Sequence, residues 1–386
     1  MSRMFRSQPG GPETPPSMGP TRSIRRRALP VALTAALVAS GLSGCANTTG
    51  LGYYWQSVSG HLAVMQAARP VSEWLANEAT PAQLRERLQL AQRIRRFAVD
   101  ELALPDNASY RRYAHLPRRA VVYNVTATPE LSLRLQSWCF PVAGCVGYRG
   151  YFDEAAAQAF AASLGPALDV VVYPVPAYST LGWMNWAGGD PLLSSFIHYP
   201  EGELARLLFH ELAHQVLYVS GDMPFNESFA TAVERLGGER WLAQSTPKAR
   251  ETYARFDERR QAFRALTHQT RANLQAVYQD TAIEPARQRQ HKAAIMAQFR
   301  QDYVTLRAQW DDWPGYDDWV RRANNASFSS QAAYDEGVPA FLALFEQEGR
   351  NFPRFYAAVR ALARLPPTER WERLRSLAPD AAISPR

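Results

Sequence analysis

The chain has 386 residues, 46% hydrophobic, with a formal net charge of +7, which is ample for a large buried core and long for one domain. Six arginines (Arg3, Arg6, Arg22, Arg25, Arg26, Arg27) against the single acid Glu13 place +5 of that +7 before residue 45. The rest of the chain is close to neutral, which excludes nucleic-acid binding through bulk positive charge.

Residues 1–20 are rich in Pro, Gly and Ser and read as disordered; Met18 is an alternative start. Arg25, Arg26 and Arg27 precede an apolar run from Ala28 to Leu42. That order, followed by small residues, is the grammar of a secretory signal. The run is shorter than the roughly 20 residues a membrane span needs. Its ending, Leu42-Ser43-Gly44-Cys45, resembles a bacterial lipobox. The resemblance implies cleavage before Cys45 and acylation of its thiol. With Ala46 next, it implies a lipid anchor in the outer membrane and a protein facing the periplasm. The chain thus divides into a leader (1–44), a helical region (45–117), a core region (118–250), a helical hairpin (251–312) and a C-terminal helical region completing the core (313–386).

From Tyr53 to Leu116 the pattern is helical, with Leu84, Leu88, Leu90 and Ile94 as an apolar stripe. Pro70, Pro81 and Pro105 break it. Arg119 to Thr128 and Leu131 to Cys139 read as strands with a turn at Pro129. Cys139 and Cys145 are the only cysteines beyond Cys45, and in an oxidising compartment they form a short-loop disulfide. A helix over Asp153–Leu164 and an apolar strand over Leu168–Tyr173 follow.

The most informative stretch is His210-Glu211-Leu212-Ala213-His214. Pro200 and Glu201 open its helix, and Leu204, Leu207, Leu208, Leu212 and Val216 give it helical periodicity. Histidines at i and i+4 lie on one helix face, so both imidazoles reach one Zn2+. Glu211 is placed as general base for a metal-activated water. After Gly221 and Pro224, Asn226 reads as the cap of a second helix, with Glu227 in its first turn as third ligand. Glu234, two turns further on the same face, is placed to orient a ligating imidazole. Thr252 to Trp310 reads as a long antiparallel helical hairpin turning at Asp280–Pro285. One apolar face runs through Phe256, Phe263, Leu266, Thr270, Leu274 and Val277, the other through Ile295, Phe299, Tyr303, Leu306 and Trp310. The fold class is α+β, mainly helical, with a small mixed sheet feeding a thermolysin-like HExxH helix.

The HExxH run with Asn226-Glu227-Ser228-Phe229-Ala230 downstream resembles the gluzincin metallopeptidases and is distantly similar to the M1-type aminopeptidases. Trp138 to Cys145, Tyr148 to Phe152, Phe209 to Gln215, Asn324-Asn325-Ala326 and Val338-Pro339-Ala340-Phe341 resemble a family of bacterial predicted aminopeptidases. The resemblance implies a peptide substrate and points to Tyr334 as oxyanion donor, with His198, Tyr199 and Tyr178 as alternatives. Where M1-type enzymes carry an acid in G-x-M-E-N, this chain has Gly182-Trp183-Met184-Asn185. That segment, as an edge strand, would bind substrate backbone without selecting an amino terminus. The expected function is a zinc metallopeptidase of the cell envelope. The rival is a lipid-anchored scaffold with a structural or degenerate zinc site. Nothing in the sequence speaks to oligomeric state.

Overall fold

A computed structural model describes residues 50–140, 144–182, 184–335 and 337–379, without the side chains of 51 and 332–336. The leader, Cys45, Trp183 and the side chain of Tyr334 therefore lie outside the described residues. In chain order the helices are α1 (Gly50–Ala67), α2 (Val71–Ala76), α3 (Ala82–Asp100), α4 (Glu154–Ser163), α5 (Glu201–Val216), α6 (Met223–Ala243) and α7 (Pro247–Gln279). After these come α8 (Pro285–Ala308), α9 (Asp317–Arg322), α10 (Asn325–Asp335), α11 (Val338–Gln347), α12 (Phe352–Ala363) and α13 (Pro367–Leu377). The strands are β1 (Arg69–Pro70), β2 (Arg112–Ala114), β3 (Val122–Pro129), β4 (Trp138–Phe140), β5 (Gly144–Val146), β6 (Arg149–Tyr151), β7 (Leu168–Val175) and β8 (Leu192–Leu193). The fold is α+β and mainly helical.

Helix α3 buries its expected stripe, including Leu88, Leu90 and Ile94. The helical reading of this region runs too far, because Ala103 and Tyr110 have φ of 51° and 63°. Residues after Asp100 leave the helix and form β2, which pairs antiparallel with β1 and parallel with β8 in a mixed sheet.

A second sheet, in the order β6-β3-β7, is antiparallel throughout. Its centre, β3, is buried at every position but Pro129, since α10 crosses it; Ser330 Oγ lies 3.2 Å from Thr126 Oγ1. A strand covered on both faces reads as a near-continuous run rather than an alternation. The strand expected over Leu131–Cys139 shrinks to β4, paired with β5 in a hairpin closed by the Cys139–Cys145 disulfide. The backbone before β4 is occupied by side chains instead. Asn325 Nδ2 donates to Glu130 O (2.8 Å) and Ser132 O (3.1 Å), and Ser329 Oγ donates to Leu133 O (2.7 Å).

Helix α5 buries Leu204, Leu208, Phe209 and Leu212 completely. They pack in one core cluster with Phe225, Phe229, Val233, Phe341 and Phe355 from α6, α11 and α12. The cap of α6 is not Asn226 but Asp222, whose carboxylate accepts from Phe225 N at 3.3 Å. Asn226 instead ties down the connection, accepting from Val219 N and donating to Val219 O, both at 2.8 Å. Asp222 also accepts from Arg370 Nη1 (2.5 Å) and Trp371 Nε1 (3.1 Å) of α13. The end of the chain thus buttresses the start of α6. Helices α7 and α8 form the long hairpin; Phe263, Leu274, Phe299, Tyr303 and Trp310 are its buried apolar seam.

Asp222→Ala removes a helix cap and the only carboxylate bonded to the buried Arg370 among the described residues, leaving it the carbonyls of Ala363 and Leu365. Chemical denaturation is expected to show a loss of about 3–5 kcal/mol, the cost of breaking a buried ion pair; a loss below about 1 kcal/mol would contradict the buttress.

Candidate metal centre

Helix α5 presents His210 and His214 one turn apart, their Nε2 atoms 3.2 Å from each other. Helix α6 begins at Met223, so Glu227 sits one turn inside it. Its Oε2 lies 3.3 Å from His210 Nε2 and 3.7 Å from His214 Nε2. An ion bound tetrahedrally at 2.0–2.1 Å holds its ligand atoms about 3.3 Å apart. The triangle of 3.2, 3.3 and 3.7 Å therefore fits one small divalent cation. His214 is buried, while His210 and Glu227 keep partial access to solvent.

Glu234 lies on the far side of His210, where the Nδ1–H donates to its Oε2 at 2.9 Å. That bond fixes the Nδ1 proton and turns Nε2 toward the triangle. The other Glu234 oxygen accepts from Arg206 Nη2. Arg206 is buried on α5, one turn before His210. Its Nη1 donates to Tyr253 OH at 2.9 Å and lies 3.5 Å from Asp257 Oδ1, both on α7. Arg260, also on α7, donates both terminal nitrogens to Glu203 of α5 at 2.7 and 3.0 Å. Sequence reasoning missed Arg206, which shares a helix face with Glu203 and His210 but belongs to no motif.

Burial opposes charge on every group here, and the neighbours decide which charges survive. Burial would lower the His210 pKa, but the Glu227 and Glu234 carboxylates raise it well above the ordinary value. Burial brings His214 down to about 4. Burial would raise Glu227 and Glu234, yet the histidines hold Glu227 low, and Arg206 with His210 holds Glu234 well below the carboxylate range. Burial lifts Glu211 to about 7: the His210 charge opposes it, but the Glu227, Asp190 and Glu234 carboxylates add to it.

Beyond the triangle, Gln215 anchors the neighbouring loop. It donates to Ser109 Oγ (3.1 Å) and accepts from Asn107 Nδ2 (2.6 Å). Gly182 packs against it, with a φ of 79°. Gly182 thus lies beside α5 in a turn, and Asn185–Ala187 is a 3-10 helix, so these residues are not in an edge strand. Leu181 and Gly182 both have positive φ, which a strand cannot accommodate. Among the alternative oxyanion donors, Tyr178 OH is paired with His61 Nδ1 at 2.7 Å. His198 and Tyr199 precede the start of α5, whose first residue lies about 13 Å along its axis from His210. Tyr110, not anticipated, is fully buried with its hydroxyl unbonded among the described residues, and burial followed by the Glu211 charge raises its pKa.

A family model described as "Putative aminopeptidase" matches residues 52–374. The chain belongs to that family. Membership in the putative aminopeptidases supports a peptidase-like function for the site. No curated protein and no solved structure matches the chain.

In the metal-free protein, Glu211 has a pKa raised from 4.5 to about 7. The folded state holds this proton more tightly, so stability falls as pH rises through that window. Glu211→Gln is expected to gain about 3 kcal/mol over wild type at pH 8 and almost nothing at pH 4.5. Denaturation of both metal-free proteins at the two pH values measures it; equal stability at pH 8 would refute it. Arg206→Met frees Glu234 and is expected to weaken divalent-metal affinity 10–100-fold. Competition against a chromophoric chelator, on protein shown folded by circular dichroism, reads that loss directly.

Proposed function

We propose that this member of the putative aminopeptidase family is a zinc-dependent peptidase of the bacterial cell envelope. The observation that carries the reading is the convergence of His210 Nε2, His214 Nε2 and Glu227 Oε2 within 3.7 Å of one another. Two imidazole nitrogens facing each other at that range repel unless a proton or a cation lies between them. Two histidines and one carboxylate are a known catalytic zinc set, and Zn2+ is the proposed cofactor. When bound, zinc supplies a water of pKa near 7 and polarises a carbonyl.

The protein's own groups supply the rest. Glu211, adjacent to His210, takes a proton near neutral pH because its pKa stands at about 7, and it returns that proton to the leaving amine. Glu234 holds the Nδ1 proton of His210 and so directs Nε2 at Glu227 and His214. Arg206 keeps Glu234 ionised in a buried setting where an unpaired carboxylate would protonate. Tyr334 remains the proposed oxyanion donor on family resemblance, with Tyr110 as an added candidate because it senses the Glu211 charge. The substrate is a peptide, and aminopeptidase specificity is proposed on family grounds. The turn at Gly182–Asn185 carries no acid to grip a free amine.

Location is part of the proposal. Acylation of Cys45 would tether the mature chain to the outer membrane, facing the periplasm. The Cys139–Cys145 disulfide supports an oxidising compartment.

Mature protein is expected to turn over a mixed peptide library, lose that activity to a chelator and regain it with Zn2+. Glu211→Gln is expected to cut turnover at least about 100-fold while still binding metal. Undiminished turnover in that variant would remove Glu211 as the base, and no turnover in the wild type would favour the scaffold reading.

A further inference from the structure

Helix α1 carries no Asp, Glu, Lys or Arg in its 18 residues. One face is packed inward. Gln56 Nε2 donates to Gly150 O at 3.3 Å and its Oε1 accepts from Phe152 N at 3.0 Å. Gly60 lies so close to Phe152 that a Cβ would sit 2.3 Å from the ring, and Val64 is buried. The opposite face is different. Trp55, Val58 and Leu62 stand 74%, 54% and 48% exposed, and their i, i+3, i+7 spacing makes them one stripe. Single exposed apolar residues are ordinary, but an aligned stripe on a charge-free helix is an interaction surface.

The sequence just before α1 indicates what covers this stripe. Trp55 follows Cys45 by ten residues, so a lipid on that cysteine holds Trp55 within about 35 Å of the bilayer even on a fully extended chain. We propose that α1 lies along the membrane surface and inserts Trp55, Val58 and Leu62 among the headgroups. Among the described residues no helix is long and apolar enough to cross a membrane, so the helix rests on the bilayer rather than spanning it. A Trp at the end of the stripe suits the interface, where an apolar ring meets polar headgroups. A helix face of this kind supplies a second anchor beside an acyl chain. It also orients the enzyme, because α1 carries His61, which is bonded to Tyr178 in the segment leading to the Gly182 turn beside α5. The choice of bilayer as occupant rests on the acylation reading of Cys45 and is independent of the metal chemistry.

The test uses the mature chain with Cys45→Ser, which has no acyl chain, and vesicles of phosphatidylethanolamine and phosphatidylglycerol. Co-sedimentation is expected for this protein. Adding Trp55→Ser, Val58→Ser and Leu62→Ser is expected to lower the partition coefficient at least about tenfold, with far-ultraviolet circular dichroism and thermal midpoint unchanged. Three results overturn the proposal: no pelleting at millimolar lipid, equal pelleting of the two proteins, or self-association without vesicles that the substitutions abolish. The last would assign the stripe to a second copy. The mass of the mature N-terminal peptide tests Cys45 acylation separately.

Discussion

Everything in the centre depends on two helices delivering three ligand atoms to one point. Helix α5 supplies two of them by its own period, since His210 and His214 stand one turn apart. The third comes from α6, and its arrival is set by the connection 217–222. Asn226 closes that connection onto Val219 from both sides of one residue. The disulfide hairpin presses on it as well: a Cβ at Gly144 would lie 2.5 Å from Gly221 N, so the two backbones touch and Gly144 admits no side chain. From the other side, Arg370 and Trp371 hold Asp222. A shift of α6 by a fraction of an ångström would open the triangle, and three separate parts of the chain oppose it.

Charge is managed by a line of alternating groups running outward from the ligands. Glu227, His210, Glu234 and Arg206 follow one another, and Tyr253 and Asp257 continue the line onto the hairpin. Buried ions are costly singly and tolerable in such chains, because each desolvation is met by a neighbour of opposite sign. The hairpin helix α7 is therefore more than a solvated arm. It carries the last members of the line and is bound to α5 by the Arg260–Glu203 pair. Glu211 stands outside the line, and burial, with the Glu227, Asp190 and Glu234 carboxylates outweighing the His210 charge, leaves its pKa near neutrality.

Much of this was legible from sequence, and the failures have physical causes. The i, i+4 histidines lie inside a helix whose apolar periodicity is strong, so α5 could be read end to end. Glu234 followed from counting two turns from Glu227. The cap of α6 was misassigned because Asp222 and Asn226 are both good N-cap residues, and only tertiary contacts with α13 decide between them. The strand expected over Leu131–Cys139 was lost to Asn325 and Ser329, which lie nearly two hundred residues away and satisfy its backbone. Gly182 lies in a turn because it and Leu181 adopt positive φ, which no local pattern announces for Leu181. Arg206 carries no motif at all; its role exists only once α6 and α7 are packed against α5.

The central claim is that both imidazoles and the Glu227 carboxylate bind one cation. X-ray absorption at the zinc edge of protein loaded with one equivalent of Zn2+ tests it most directly. The account predicts a shell of nitrogen and oxygen at about 2.0–2.1 Å with two imidazole signatures and no sulfur. A shell with one imidazole or none, or one unchanged by Glu227→Ala, would contradict it.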